Sequence, residues 1–122
     1  MAYIEAIRPG MYAQDMLVES GLMLITKVFK DRGVVYARVW MDNEDRFSDD
    51  EVALGPQEME LVYLENADVS ALCGKLSPEE YSDRGMQLFQ KGIVNINPLG
   101  VGPRAFPLSV FGTRLAKAMR VQ

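Results

Sequence analysis

Apolar and polar positions alternate through the first half of the chain and give way to helical spacing in the second. Arg8-Pro9-Gly10-Met11 reads as a turn, with proline setting φ and glycine taking positive φ. Met11 to Val18 is predicted as a strand, and Glu19-Ser20-Gly21 returns the chain. In the next strand Leu22, Leu24 and Val28 are expected to share a face, with Thr26 between them and Phe29 opposite. Asp31-Arg32-Gly33 makes a short hairpin connection, with glycine where a left-handed residue is needed. Val34 to Met41 is rich in β-branched and aromatic residues and is the clearest strand. Its period of two puts Val35, Ala37, Val39 and Met41 on one face and Tyr36, Arg38 and Trp40 on the other. Asp42 to Asp45 then connects, Arg46 and Phe47 re-enter the sheet, and Ser48 with Glu51 is expected to frame a helical turn. Val52-Ala53-Leu54 ends at Gly55-Pro56, and Met59 to Leu64 is a further strand.

Short strands with tight turns at this spacing predict a small, strongly bent antiparallel barrel of about five strands. The layout resembles SH3-like or Tudor-like small barrels, at the level of fold only, over about half the chain and on no diagnostic motif. Beyond it the pattern is helical. Asp68 is expected to cap a turn over Val69 to Cys73 that Gly74 stops. Ser77-Pro78-Glu79-Glu80 is the strongest local signal: a serine cap, proline at the first helical position, and a glutamate placed to reciprocate. That helix should run to about Lys91 and stop at Gly92, with Tyr81, Leu88 and Phe89 on one face and Gly85 allowing close backbone approach. Ile93 to Ile96 reads as a short strand, and Asn97 to Pro107, rich in proline and glycine, as an irregular excursion. A last helix, Leu108 to Val121, would carry Leu108, Phe111, Leu115 and Met119 on one side, with Phe111, Leu115 and Met119 as an apolar docking stripe beside a strip of Arg114, Lys117 and Arg120. The expected fold is therefore α+β in one domain, residues 1–66 mainly barrel and 67–122 mainly helical and packed on it.

A chain of 122 residues suits one such domain. No apolar stretch approaches the length of a membrane span, and Met1 to Glu5 lacks a basic-then-apolar export pattern. The single Cys73 cannot form an internal disulfide, which points to a reducing cytoplasm, and its place at the end of a turn disfavours a thiolate. Histidine is absent, which removes the commonest metal ligand and the commonest acid–base group near neutral pH. Charge is unevenly divided. Residues 1 to 83 carry all 17 acidic groups against 7 basic ones, and residues 84 to 122 carry 6 basic groups and no acid. Such asymmetry points to an interaction tail, to pairing inside one fold, or to pairing between copies.

Candidate chemistry is sparse. The run Asp42 to Glu51 fails as a calcium loop, because Arg46 takes the fifth place and Phe47 the sixth, where glycine is required. It reads instead as a solvated connection with caps. Tyr36, Arg38 and Trp40 alternate ring and cation, as a base-stacking or cation-recognising surface needs, but a lone tryptophan favours burial of this face under the helical half; if exposed, it is the expected partner surface. Gly100 to Ala105 matches a dinucleotide fingerprint in letters, but Pro103 removes an amide and Pro107 delays the helix. Arg104 with nearby amides is left as a weak anion site. The carboxylate pairs Glu58 with Glu60 and Glu79 with Glu80 each suit a strand face or a helix start. No cofactor, no metal and no catalytic residue is expected. The expected function is non-enzymatic binding of protein, with self-association between an acidic body and the basic Arg114, Lys117, Arg120 helix; a small viral structural or host-interfering protein would fit this profile. Alternatives are a nucleic-acid-binding small barrel using Tyr36, Arg38, Trp40 and the terminal basic residues, and a binder of a small anion through Arg104.

Overall fold

The structure is a computed structural model that describes residues 2–120. It is a mixed α+β fold of six antiparallel strands and three helices, resolved into two compact units that meet in sequence between Tyr63 and Leu64.

The first unit opens with a 3-10 turn, Ile4–Ala6, and continues as β1 (Tyr12–Asp15), β2 (Gly21–Phe29), β3 (Val34–Met41), β4 (Arg46–Phe47), β5 (Val52–Leu54) and β6 (Met59–Leu61). The strand order is β4-β3-β2-β1-β6, and β5 also lies along β3. Strands β4 and β5 occupy successive stretches of one edge, at Trp40–Met41 and at Val35–Ala37. The closed barrel expected from the sequence is not formed: among the described residues β5 and β6 do not pair, and the sheet is open. The sheet nevertheless has to curl. Laid flat, β5 and β6 would stand about 19 Å apart, four strand spacings of about 4.8 Å. The link between them, Gly55 to Glu58, contains a 3-10 turn closed by Glu58 N–H on the Gly55 carbonyl, 3.0 Å. Such a link spans no more than about 14 Å. Ile7, Ala13, Met23, Ile25, Val35, Ala37 and Met59 form the buried apolar cluster of this unit.

Four local expectations for this unit change, one of them the strand expected to reach Leu64, which ends at Leu61. The face expected on Leu22, Leu24 and Val28 is interrupted by a bulge at Thr26: Ile25 pairs with Ala37 and Lys27 already with Tyr36, so one residue is extra. Met23 and Ile25 therefore join the core before the bulge and Val28 packs on it after, while Leu24 is half-buried. The strand expected to reach Val18 ends at Asp15, whose Oδ1 accepts the Leu17 N–H at 2.8 Å and turns the chain. The helical turn expected from Ser48 to Glu51 is absent. Ser48 Oγ instead accepts the Val39 N–H at 3.1 Å and donates to the Asp50 carbonyl at 2.8 Å.

The second unit holds α1 (Asn66–Leu72), α2 (Pro78–Gln90) and α3 (Val110–Arg120), with a 3-10 turn at Gly102–Arg104. Helix α1 begins earlier than expected, and Asp68 is not its first cap: it sits in the first turn, accepting the Glu65 N–H at 2.8 Å. That carboxylate is 4% exposed and takes a second bond from Lys91 Nζ at 2.6 Å. Helix α2 follows its sequence signal, with Ser77 Oγ accepting the Glu80 N–H and Glu80 Oε1 accepting the Ser77 N–H, 3.2 and 3.0 Å. Tyr81 and Leu88 are buried as expected, but Phe89 is exposed. The strand expected at Ile93 to Ile96 reduces to one bridge, Val94 with Leu108, so Leu108 precedes α3 instead of lying on it. Ser109 caps α3 through the Gly112 N–H at 2.8 Å. The expected end of that helix at Val121 lies outside the described residues.

Two glycines make this packing possible. The face of Gly85 is filled by the ring of Phe106, a side chain where backbone was expected. The close backbone approach is at Gly112 instead, where a Cβ would fall inside 3.0 Å of the Ile93 carbonyl. Among the described residues no helix is long and apolar enough to cross a membrane.

Candidate functional site

The ring-and-cation row expected on β3 is divided by the fold. Trp40 is only 7% exposed, with Phe47 edge-on at 5.1 Å and Phe47 in turn stacked on Tyr12 at 6.2 Å. The Trp40 indole N–H donates to Asp42 Oδ1 at 3.1 Å, so its polar end is satisfied inside the unit. Burial also pushes the Tyr12 hydroxyl above its ordinary pKa. Arg38 remains exposed and Tyr36 is half-buried. The bulge at Thr26 sets Lys27 opposite Tyr36 on β3, and Phe29 meets the Tyr36 ring edge-on at 5.5 Å. Arg32 from the hairpin connection lies over the Phe29 ring, 5.3 Å from its centre. The aromatic partner of Tyr36 on this surface is thus Phe29 of β2, a contact that the alternation within β2 alone does not show.

The acidic run is largely occupied by its own unit. Asp42 holds Trp40, while Glu44 and Asp49 flank Arg46 at 3.3 and 3.0 Å. These two carboxylates raise the Arg46 pKa, Asp49 first through its hydrogen bond. Glu51 accepts from the Thr26 hydroxyl and from Lys27 Nζ at 3.2 Å, and these bonds hold its carboxyl below the ordinary value. Asp45 takes the left-handed conformation, φ 49°, that lets the connection between β3 and β4 turn. Among the described residues no three potential ligands converge on one point.

On α3 the basic strip is graded: Arg114 is half-buried, whereas Lys117 and Arg120 are exposed. The apolar stripe expected to accompany it is not free, since Phe111 and Leu115 are buried. Arg104 is exposed at the end of its 3-10 turn. The amides around it are already used: Arg104 N–H binds the Val101 carbonyl, Ala105 N–H the Gly102 carbonyl, and Gly100 N–H the Asn97 carbonyl. An anion at Arg104 would have to compete with these bonds.

Two apolar tips were not visible as sites in the sequence. In the first unit Met16, Leu17 and Val18 form the tip between β1 and β2, each more than half exposed and Leu17 at 74%. The tip is held by the Asp15–Leu17 bond, by Met16 N–H on the Glu58 carbonyl at 2.9 Å and by Gly21 N–H on the Val18 carbonyl at 3.1 Å. Asp15, Glu19 and Glu60 border it. In the second unit Leu99, at 94% exposure, stands with Val101 on a loop tied by Asn97 N–H to the Ala105 carbonyl at 2.8 Å. The usable signal was Asp15 followed by Ser20-Gly21, turn formers on both sides of three apolar residues. No family model matches this sequence, and neither a curated protein nor a solved structure matches it.

Proposed function

We propose that this chain is a non-enzymatic protein-binding module that associates with further copies of itself. The observation that carries the reading is the Met16-Leu17-Val18 tip, three consecutive apolar side chains held out on a hydrogen-bonded turn. Exposed apolar runs are costly in a solitary soluble protein and mark contact sites. The acidic border of Asp15, Glu19 and Glu60 selects a basic counterpart, and the exposed Lys117 and Arg120 of α3 on another copy supply one. Such a contact joins different surfaces, head to tail, and either closes into a ring or continues as a lattice. We further infer that the β unit is an SH3-like sheet. Its curl, and the return of β6 to pair with β1, support that reading.

Light-scattering mass on a sizing column at about 0.05 and 0.5 M salt tests the assembly, since the screening length falls from above 10 Å to below 5 Å over that range. A defined multimer that loosens at high salt, and that Leu17→Ser with Val18→Ser converts to monomer while the circular dichroism is unchanged, is the expected result. A monomer at both salts overturns the proposal.

A further inference from the structure

We infer that the outer face of the β2–β3 hairpin is a binding site for single-stranded nucleic acid, built from Phe29 and Tyr36 with Lys27, Lys30, Arg32 and Arg38. Placement of charge is the first observation. Residues 2–63 contain twelve acidic groups and six basic ones, Arg8, Lys27, Lys30, Arg32, Arg38 and Arg46, and four of the six stand on this one hairpin. The only acid within Gly21–Met41 is Asp31. The hairpin is therefore a cationic island on an anionic unit, and a net charge of −4 for the whole chain conceals it.

The second observation is the rings. Phe29 is 37% exposed and Tyr36 is half-buried, and Lys27, Lys30, Arg32 and Arg38 are all exposed. Packing within the hairpin accounts for the Phe29–Tyr36 contact and for Arg32 over the Phe29 ring, but not for Lys30 and Arg38 beside them. Phosphates spaced along a flexible strand can meet these cations while an unstacked base lies against Phe29 or against the Arg32 guanidinium plane. An acidic peptide would use the cations and leave the rings idle, and a duplex keeps its base faces stacked away from them. The acids facing the site are Asp31 in the connection and Glu51, which is bonded to Lys27 and Thr26. Lys27 is therefore the cation least available to a phosphate, and about three cations remain to act.

This site is separate from the apolar tip, and its failure leaves the self-association reading untouched. The test is fluorescence anisotropy of a labelled oligothymidylate of about twenty nucleotides with the full chain. With three phosphates neutralised, the logarithmic salt slope is about −2, so raising salt fourfold from 0.05 M should weaken binding about 20-fold. Phe29→Ala should weaken binding about tenfold and leave that slope unchanged, because stacking carries no counterion release. Lys30→Glu with Arg32→Glu should abolish binding, and thermal unfolding of each variant checks that the exposed changes leave the fold intact. No binding at the lowest salt overturns the proposal. So does binding that survives the hairpin variants but is lost on Lys117→Glu with Arg120→Glu, which would place the site on α3. Equal binding of duplex, or competition by polyglutamate with no effect of Phe29→Ala, removes the rings and with them the site.

Discussion

Replacing Gly112 by alanine separates two effects that propensity scales merge. Glycine inside a helix is worse than alanine by about 1 kcal/mol, so on an exposed helix Gly112→Ala would stabilise. On α3 the new Cβ would enter the space of the Ile93 carbonyl oxygen, well inside 3.0 Å. That oxygen is backbone and is already fixed: it accepts the Ser109 N–H at 2.9 Å and the Ser109 hydroxyl at 3.1 Å. Relief must come by lifting α3 off the Ile93 segment, which loosens the Ser109 cap and these bonds together. Overpacking costs about 1–3 kcal/mol, and the cap and one hydrogen bond add about 1 kcal/mol each. Set against the propensity gain, Gly112→Ala should destabilise by about 2–4 kcal/mol. Urea unfolding followed by circular dichroism reads this as a lower midpoint at unchanged slope. A variant as stable as the parent would refute the claim that α3 seats on backbone at this glycine.

Gly85 provides the contrast. There the added Cβ would meet the far end of the Phe106 ring, which can be removed by mutation. Gly85→Ala should destabilise alone, yet Gly85→Ala with Phe106→Ala should be at least as stable as Phe106→Ala by itself, since only the propensity gain remains.

Lys91→Met leaves the Asp68 carboxylate buried with only the Glu65 amide, and urea unfolding should show a loss of about 2–3 kcal/mol, reduced from the fully buried case because Lys91 is partly exposed. Asp68→Asn keeps an acceptor for that amide and should cost less. Ser77→Ala removes the α2 cap and should cost about 1 kcal/mol in the same assay. Glu51 is held below its ordinary value of 4.5, chiefly by the Thr26 hydroxyl and then by Lys27, so the stability it contributes is present above that value and lost as pH falls through the lower folded one. Glu51→Gln should narrow its deficit relative to the parent between pH 6 and pH 3; a deficit that stays constant contradicts the assignment.

What the sequence disclosed and what it hid follow from the range of the interactions concerned. Ser77-Pro78-Glu79-Glu80 is a local device, complete within four residues, and α2 starts there as read. The hairpin at Gly33, φ 64°, and the bounds of β3 are local in the same sense. The face of β2 is not legible in the sequence because a bulge depends on the partner strand: nothing in Leu24-Ile25-Thr26-Lys27 alone shows that Tyr36 will pair with Lys27. The residue type of Asp68 suggests a cap, but the partner that compensates its buried charge, Lys91, is 23 residues away. Burial of Trp40 follows from its being the lone tryptophan, but its partners, the Phe47 ring and the Asp42 acceptor, come from the fold-back of the chain after β3 and not from the helical half that the sequence suggests. The candidate surfaces moved for that reason, from β3 alone to the β2–β3 hairpin.

The same long-range pairing explains how an acidic run is largely occupied by its own unit while a cationic hairpin stays exposed. Asp42, Glu44, Asp49 and Glu51 each hold a hydrogen bond or ion pair with Trp40, Arg46, Thr26 or Lys27. Attraction available to an outside cation is reduced wherever a carboxylate already has such a partner. Lys30, Arg32 and Arg38 stand exposed on the hairpin, and Asp15, Glu19 and Glu60 border the apolar tip. Ionic strength should therefore act on the two proposed contacts through different residues. Reversing Lys30 and Arg32 should change nucleic-acid binding and leave the multimer in place, whereas Asp15→Asn with Glu19→Gln should weaken the multimer and leave the oligonucleotide affinity within about twofold, since Lys30 and Arg32 follow the far end of β2, about 26 Å along the strand from the Asp15–Gly21 pair. If either pair of substitutions moved both readouts together, the two surfaces would be one, and the division of labour drawn from the charge pattern would be wrong.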